Sequence, residues 1–307
     1  MLTLFLALQI AQTSPADTVL SAARRAVAPV TDSTSARANA FGPLFQRSIL
    51  DRTPFQGEHW LSGPRLAKDT TLEIGLAEPA FVMFGFVAGR MQRVGTAYIT
   101  RLPQGAAGPQ GLGGDADAMW HTHQFCRDVP GQGALVLAES AEDCRARGGT
   151  TTPRQIHMVH VWTDVPNPEG IYGHDNPALP YLAVGLKPPE MHDLHDAARV
   201  RTIRGLAMAL AETYDARMPA SRAVETLNKD ASLTDSVRAR RAAIAAQLPA
   251  LKAADASGKK QDYDRVADKM IGDWQALARL YERMAPTPEL RALVKRENER
   301  AVTSSHH

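Results

Sequence analysis

Residues 155–163 read Gln155-Ile156-His157-Met158-Val159-His160-Val161-Trp162-Thr163. The stretch is short and rich in β-branched and aromatic residues, which predicts a β-strand. Strand alternation puts Ile156, Met158, His160 and Trp162 on one face and His157, Val159 and Val161 on the other. If the Trp162 face looks inward, His160 rather than His157 enters the interior.

Working outward, further strands are expected on both sides. Residues 80–87 (AFVMFGFV) are continuously apolar, as in a strand buried on both faces. Residues 93–100 (RVGTAYIT) alternate, and residues 118–125 and 134–138 are shorter candidates. Gly and Pro crowd residues 103–114, which predicts a loop. Beyond residue 190 the character changes to Ala, Arg and Asp, with few strand formers. There Tyr263, Val266, Met270, Ile271, Trp274, Leu277 and Tyr281 recur at three-to-four spacing, the signature of an amphipathic helix over 262–284. Thr287-Pro288 is a helix start, Ser232 with Asp235 suggests another, and helices are expected over 196–217 and 234–254. Residues 15–30 predict a helix and residues 31–42 (TDSTSARANAFG) a linker. The expected fold class is α+β, with a mostly antiparallel, barrel- or sandwich-like N-terminal β domain over 17–190. A C-terminal helical bundle follows over 191–303.

The chain has 307 residues, 44% hydrophobic and 22% charged, with a net charge of +2. That supports about two domains and excludes a disordered or collagen-like chain. Residues 1–195 carry 15 Lys/Arg against 18 Asp/Glu, and residues 196–307 carry 20 against 15. Neither half suggests a nucleic-acid partner, because aromatics are only 6% of the chain and are not interleaved with a basic patch. Residues 2–10 (LTLFLALQI) are too short to span a bilayer, and small residues follow. This predicts a signal peptide over 1–16, with an N-terminal core segment as the alternative, a periplasmic or secreted protein, and no integral membrane segment. The two cysteines, Cys126 and Cys144, are expected to form a disulfide in that compartment. Two buried thiols, or Cys126 as a metal ligand, are the alternatives.

Ten histidines occur, with His306 and His307 closing the chain and His192 and His195 near the domain junction. The other six lie between residues 59 and 174, in three Trp-flanked strings and one lone position. The strings are Glu58-His59-Trp60, Trp120-His121-Thr122-His123 and His157 to Trp162; His174 stands apart. On a strand, His121 and His123 share a face. Neutral imidazole is a common ligand for copper and zinc. The expected metal ligands are His59, His121, His123 and His160, holding one transition-metal ion. Glu58, Met158, His157, His174 and Cys126 are alternate ligands or outer partners, and Asp175 could orient an imidazole.

The His121-Thr122-His123 pair resembles the first metal motif of cupins, which implies a β-barrel carrying a metal on histidines and a carboxylate. The residues that follow, Gln124-Phe125-Cys126-Arg127, lack the Glu of that motif. A closer resemblance is to an uncharacterised family of exported bacterial proteins with G-E-H-W, W-H-x-H, H-x-W and N-P-x-G-[FY] segments. Here those are Gly57 to Trp60, Trp120 to His123, His160 to Trp162, and Asn167 to Tyr172 with Asn176-Pro177. That resemblance implies a shared fold and export, and no activity.

P-loop, dinucleotide-binding, nucleophile-elbow and H-E-x-x-H motifs are absent from the sequence. The leading expectation is an exported protein that binds copper or zinc in its β domain. A metal-dependent oxygenase or hydrolase is the enzyme alternative, with Glu58, His157 or His174 as acid or base. A structural or interaction protein without metal is the third, its helical domain serving a protein partner or self-association.

Overall fold

The computed structural model describes residues 15–43, 53–68, 78–103, 105, 106, 109, 119–131 and 136–303. Helix α1 (Pro15–Val27) and the short α2 (Ser33–Ala38) come first. The strands follow: β1 (Gly42–Pro43), β2 (Glu58–Leu61), β3 (Phe81–Val87) and β4 (Arg90–Pro103). Helix α3 (Gly63–Lys68) sits between β2 and β3. Then come β5 (His121–Arg127), β6 (Val136–Ala138), α4 (Ala141–Ala146) and β7 (Thr150–Val161).

These strands form one sheet in the order β1-β2-β3-β4-β7-β5-β6, with every pairing antiparallel. The sheet curls into a half-barrel. Its curvature is measured by two side chains. His59 on β2 and His160 on β7 belong to strands three places apart, a span of about 14 Å in a flat sheet. Their Nε2 atoms are 3.3 Å apart. Small inward residues make room for that approach: Ala97 is the register partner of His160, and at Gly95 a Cβ would stand 2.8 Å from the Val161 carbonyl oxygen.

Alternation gives the sheet two apolar faces. The outer face carries Tyr98, Val159 and Val161, covered by Val19 and Ala23 of α1. Further along it, Trp60, Val82 and Phe84 pack with Val27, Val30 and Phe41. The inner face carries Phe81, Ala97, Ile99, Phe125, Ile156 and Met158. Met83 and Trp162 continue the inner face. The Trp162 face therefore does look inward.

After β7 a loop leads to α5 (Leu179–Val184) and a 3-10 turn (Met191–Leu194). The helices are α6 (Ala197–Glu212), α7 (Pro219–Leu227), α8 (Ala231–Ala245), α9 (Leu248–Ser257), α10 (Lys260–Met284) and α11 (Pro288–Ala301). Val266, Met270, Trp274, Leu277 and Tyr281 of α10 are buried at the expected spacing. Their core also takes in Phe55, Tyr181, Val184 and Leu186 from the sheet-bearing half. Arg204 of α6, Arg296 of α11 and Arg300 of α11 pair with Glu169, Asp143 and Glu139 of that half. Among the described residues, no helix is long and apolar enough to cross a membrane.

Several expectations need correction. The expected linker over 31–42 contains α2, because Asp32 accepts from the Thr34 and Ser35 amides and Ser35 returns the bond. The single helix expected over 234–254 is two, α8 and α9, with Pro249 in the first turn of the second. Asp230, not Ser232, caps α8. The first helix stops at Val27, short of residue 30. The strand expected over 93–100 extends to 90–103, and that over 155–163 lies at 150–161. The start of the 118–125 strand, that of the 134–138 strand, most of the 103–114 loop, residues 1–14 of the signal segment, and His306 and His307 lie outside the described residues.

Candidate metal centre

Five imidazoles meet inside the curl of the sheet. Register explains four of them. His121 is the partner of Met158 and His123 the partner of Ile156, so both enter the face that carries His160. His160 stands two residues from Met158 on β7, diagonal to His121. The His121 and His160 ring centroids are 5.1 Å apart. His59 is the partner of Met83 on the same face and reaches His160 across the curve.

The fifth, His174, comes from the loop after β7, and asparagines hold that loop in shape. Asn176 donates to the Pro166 carbonyl (3.0 Å) and accepts from the Ala178 amide (3.0 Å). Asn167 donates to the Asp175 carbonyl (2.8 Å) and accepts from the Glu169 amide (2.9 Å). The Trp162 indole donates to the Gly173 carbonyl (2.7 Å). These bonds account for the Asn-Pro pairs and the H-x-W strand by which the sequence stands out. The result is a His174 ring 4.0 Å from that of His121 and 5.7 Å from that of His123, between centroids.

His121, His123 and His174 each offer a ligand atom, and those atoms all lie within 4.8 Å of one another. This cluster could hold a metal ion. The ring nitrogens outside it are oriented by carbonyls. His121 Nδ1 lies 3.2 Å from the Met119 oxygen, and His160 Nδ1 lies 2.7 Å from the His174 oxygen. A carbonyl only accepts, so each Nδ1 carries the proton and each neutral ring keeps its lone pair on Nε2. His121 Nε2 is buried without a hydrogen-bond partner among the described residues. An orphaned buried lone pair is costly unless something takes it up, and a metal ion would.

Electrostatics favour the ligand form of the rings. Burial, reinforced by the neighbouring imidazoles, pushes His59 down to about 3. Burial brings His123 down to about 4 against the opposing pull of Glu139. Burial also holds His121 and His160 well below the ordinary histidine value. At neutral pH these rings are uncharged, as metal coordination requires.

No family model, curated protein or solved structure matches this chain.

A cavity of about 100 Å³ opens beside the cluster, bordered by His59, His123, Met158, Glu139, Asp175 and Arg300 among others. Burial raises the Glu139 carboxyl, but His123, His174 and Arg300 outweigh it and leave the group below its ordinary value. Asp175 is likewise raised by burial and brought below its ordinary value by Arg204 and His174. Its Oδ1 lies 3.7 Å from His174 Nδ1, while Gln56 Nε2 lies 2.9 Å from His174 Nε2.

The other sequence candidates are placed as follows. Met158 is buried on the inner face and borders the cavity. His157 is on the outer face, with Nε2 3.0 Å from Gln155 Nε2. Glu58 also faces outward and accepts from the Trp60 indole (2.8 Å). Cys126 is bonded to Cys144, which leaves no thiolate for a metal. Glu139, Gln56 and Arg204 were not singled out by the sequence. Each meets the cluster through long-range contacts that no local pattern announces.

Proposed function

We propose that the protein binds a transition-metal ion, copper or zinc, on His121, His123 and His174, and that it works outside the cytoplasm. The observation that carries this reading is the convergence of three ligand atoms within 4.8 Å of one another. The orphaned His121 Nε2 supports it. Imidazole-only coordination suits copper and zinc better than magnesium or calcium. Export rests on the apolar residues 2–10 and agrees with the Cys126–Cys144 disulfide, since such bonds persist in oxidising compartments. On the same ground, and on the G-E-H-W, W-H-x-H, H-x-W and N-P-x-G-Y segments, we place the chain with the exported family it resembles.

The test is elemental analysis of protein loaded with copper or zinc and then desalted. Retained metal, lost in the His121→Ala/His123→Ala double variant, supports the reading. A wild-type protein that retains none overturns it and returns these histidines to a purely structural role.

The cavity favours an enzyme as the second reading. Zinc on three histidines with an open position lowers the pKa of a bound water to about 7. Glu139, which borders the same cavity and pairs with Arg300, is the candidate to accept that proton. Metal-dependent hydrolysis of a model ester that is abolished in Glu139→Gln, with metal content unchanged, distinguishes a hydrolase from a passive binder.

A further inference from the structure

We propose that His59 and His160 form a second metal position, distinct from the three-histidine position, with His59 bordering the cavity. The inference rests on the metal-binding reading above and extends it to a two-ion centre.

The separation of the two rings is the first ground. With metal–nitrogen bonds of 2.0–2.1 Å, two ligands of a tetrahedral ion lie about 3.3–3.4 Å apart. His59 Nε2 and His160 Nε2 are 3.3 Å apart. An N–H donor normally sits nearer its acceptor, most often about 2.9–3.0 Å. The pair is therefore spaced as two ligands of one ion would be, at the long end of a hydrogen bond.

The tautomers are the second ground. His160 Nδ1 gives its proton to the His174 carbonyl at 2.7 Å, which leaves Nε2 as a lone pair. That lone pair faces His59 Nε2. Without an ion, His59 must turn a proton toward it. With an ion, both Nε2 atoms are acceptors, and His59 carries its proton on Nδ1. The backbone carbonyl acting on His160 is the kind of outer partner that orients metal-bound histidines generally.

The third ground is location. His160 is fully buried, whereas His59 borders the cavity alongside Met158 and Asp175. Two protein ligands leave an ion with open positions, and the cavity is the side from which water or a small substrate reaches it. The three-histidine ion would border the same cavity through His123, and the His59–His160 ion through His59. Two ions clamping one oxygen is the arrangement by which two-metal sites promote hydrolysis and related displacements.

The experiment is zinc loading of the full chain followed by gel filtration and elemental analysis. Wild type is expected to retain two equivalents, and His59→Gln and His160→Gln one each. One equivalent in wild type overturns the second position and leaves the first standing; none overturns both. Two equivalents in both His59→Gln and His160→Gln also overturn the proposal, because the second ion would then sit elsewhere. A second readout uses copper. Two Cu(II) ions held in one cluster couple magnetically, so the paramagnetic resonance signal of wild type should fall below that of two isolated ions. The His59→Gln signal should equal one isolated ion. A wild-type signal equal to two isolated ions overturns the proposal.

Discussion

Arg204 on α6 donates through Nη2 to Asp175 Oδ2 at 2.6 Å, and Asp175 is the residue that follows His174. The same guanidinium pairs with Glu169, donates through Nε to the Ala301 carbonyl (3.0 Å), and lies over the Phe55 ring. It is completely buried. One side chain thus ties the His174 loop to both α6 and the end of α11. Removing one partner of a buried ionic group typically costs about 3–5 kcal/mol, because the remaining charges are stranded. Arg204→Met is expected to lower stability by that amount and to weaken metal retention through the loosened loop. Chemical denaturation checks the first effect, and a loss below about 1 kcal/mol contradicts it. Adding Glu169→Gln and Asp175→Asn should restore part of the loss, since the stranded charges are then gone.

Glu297 on α11 is a buried acid of a different kind. Burial pushes its carboxyl up to about 7, with Arg147 opposing, and Oε2 accepts from the Ala220 amide at 2.9 Å. The folded value lies above the ordinary 4.5. The neutral acid is the form that the fold favours, so this contribution to stability is full below about 4.5. It is lost as pH rises through about 7. The difference in unfolding free energy between wild type and Glu297→Gln should decline across that window. A pH-independent difference would show that Glu297 is already ionised in the folded protein.

The legible part of the molecule was the part with a period. Alternation in 155–163 put Met158, His160 and Trp162 inside, and i, i+2 spacing put His121 and His123 on one face. Three-to-four spacing identified the buried face of α10. Legibility failed where a contact spans the fold. His174 sits in a loop without periodicity, and its place in the cluster depends on Asn167 and Asn176 bonding across that loop. Glu58 adjoins His59 in sequence, yet neighbours on a strand face opposite ways, and it accepts from the Trp60 indole. Glu139, Gln56 and Arg204 reach the cluster only once the helices and the sheet have packed. The α2 helix was hidden by its Ser, Thr and Asn content, which reads as linker until Asp32 is seen as a cap.

If the loop histidine is a ligand equal to the strand pair, His174→Ala should reduce retention of the first metal equivalent as strongly as His121→Ala does. Measured dissociation constants for the two variants should agree within about tenfold, or about 1.4 kcal/mol. A His174→Ala protein with wild-type affinity would remove His174 from the ligand set.

Gly57 opens the G-E-H-W segment for a steric reason. Its φ is +68°, and a Cβ there would collide with the Phe84 carbonyl oxygen. The turn it makes feeds β2 into register, with His59 opposite Met83. Gly57→Ala should destabilise the protein by more than about 1 kcal/mol, the scale at which Ala at an incompatible backbone position exceeds its entropic gain. Thermal denaturation gives the answer, and an unchanged or raised melting temperature would show that the turn can be remade without glycine.

The disulfide gives a final and separable expectation. Cys126 lies on β5, the strand that carries His121 and His123, and it joins Cys144 on α4 with 5.7 Å between Cα atoms. Both cysteines are fully buried among Val129, Val136 and Ala138. The 18-residue separation implies a loss of about 3 kcal/mol when the bond is removed, by the entropy of loop closure. The double variant Cys126→Ala/Cys144→Ala should therefore unfold at lower denaturant but retain the same number of metal equivalents. Those two results belong together: the sulfur atoms hold β5 against α4, while the proposed ligands are the imidazoles. A loss of metal from a double variant that still folds would show that β5 needs the bond to keep His121 and His123 within reach of His174.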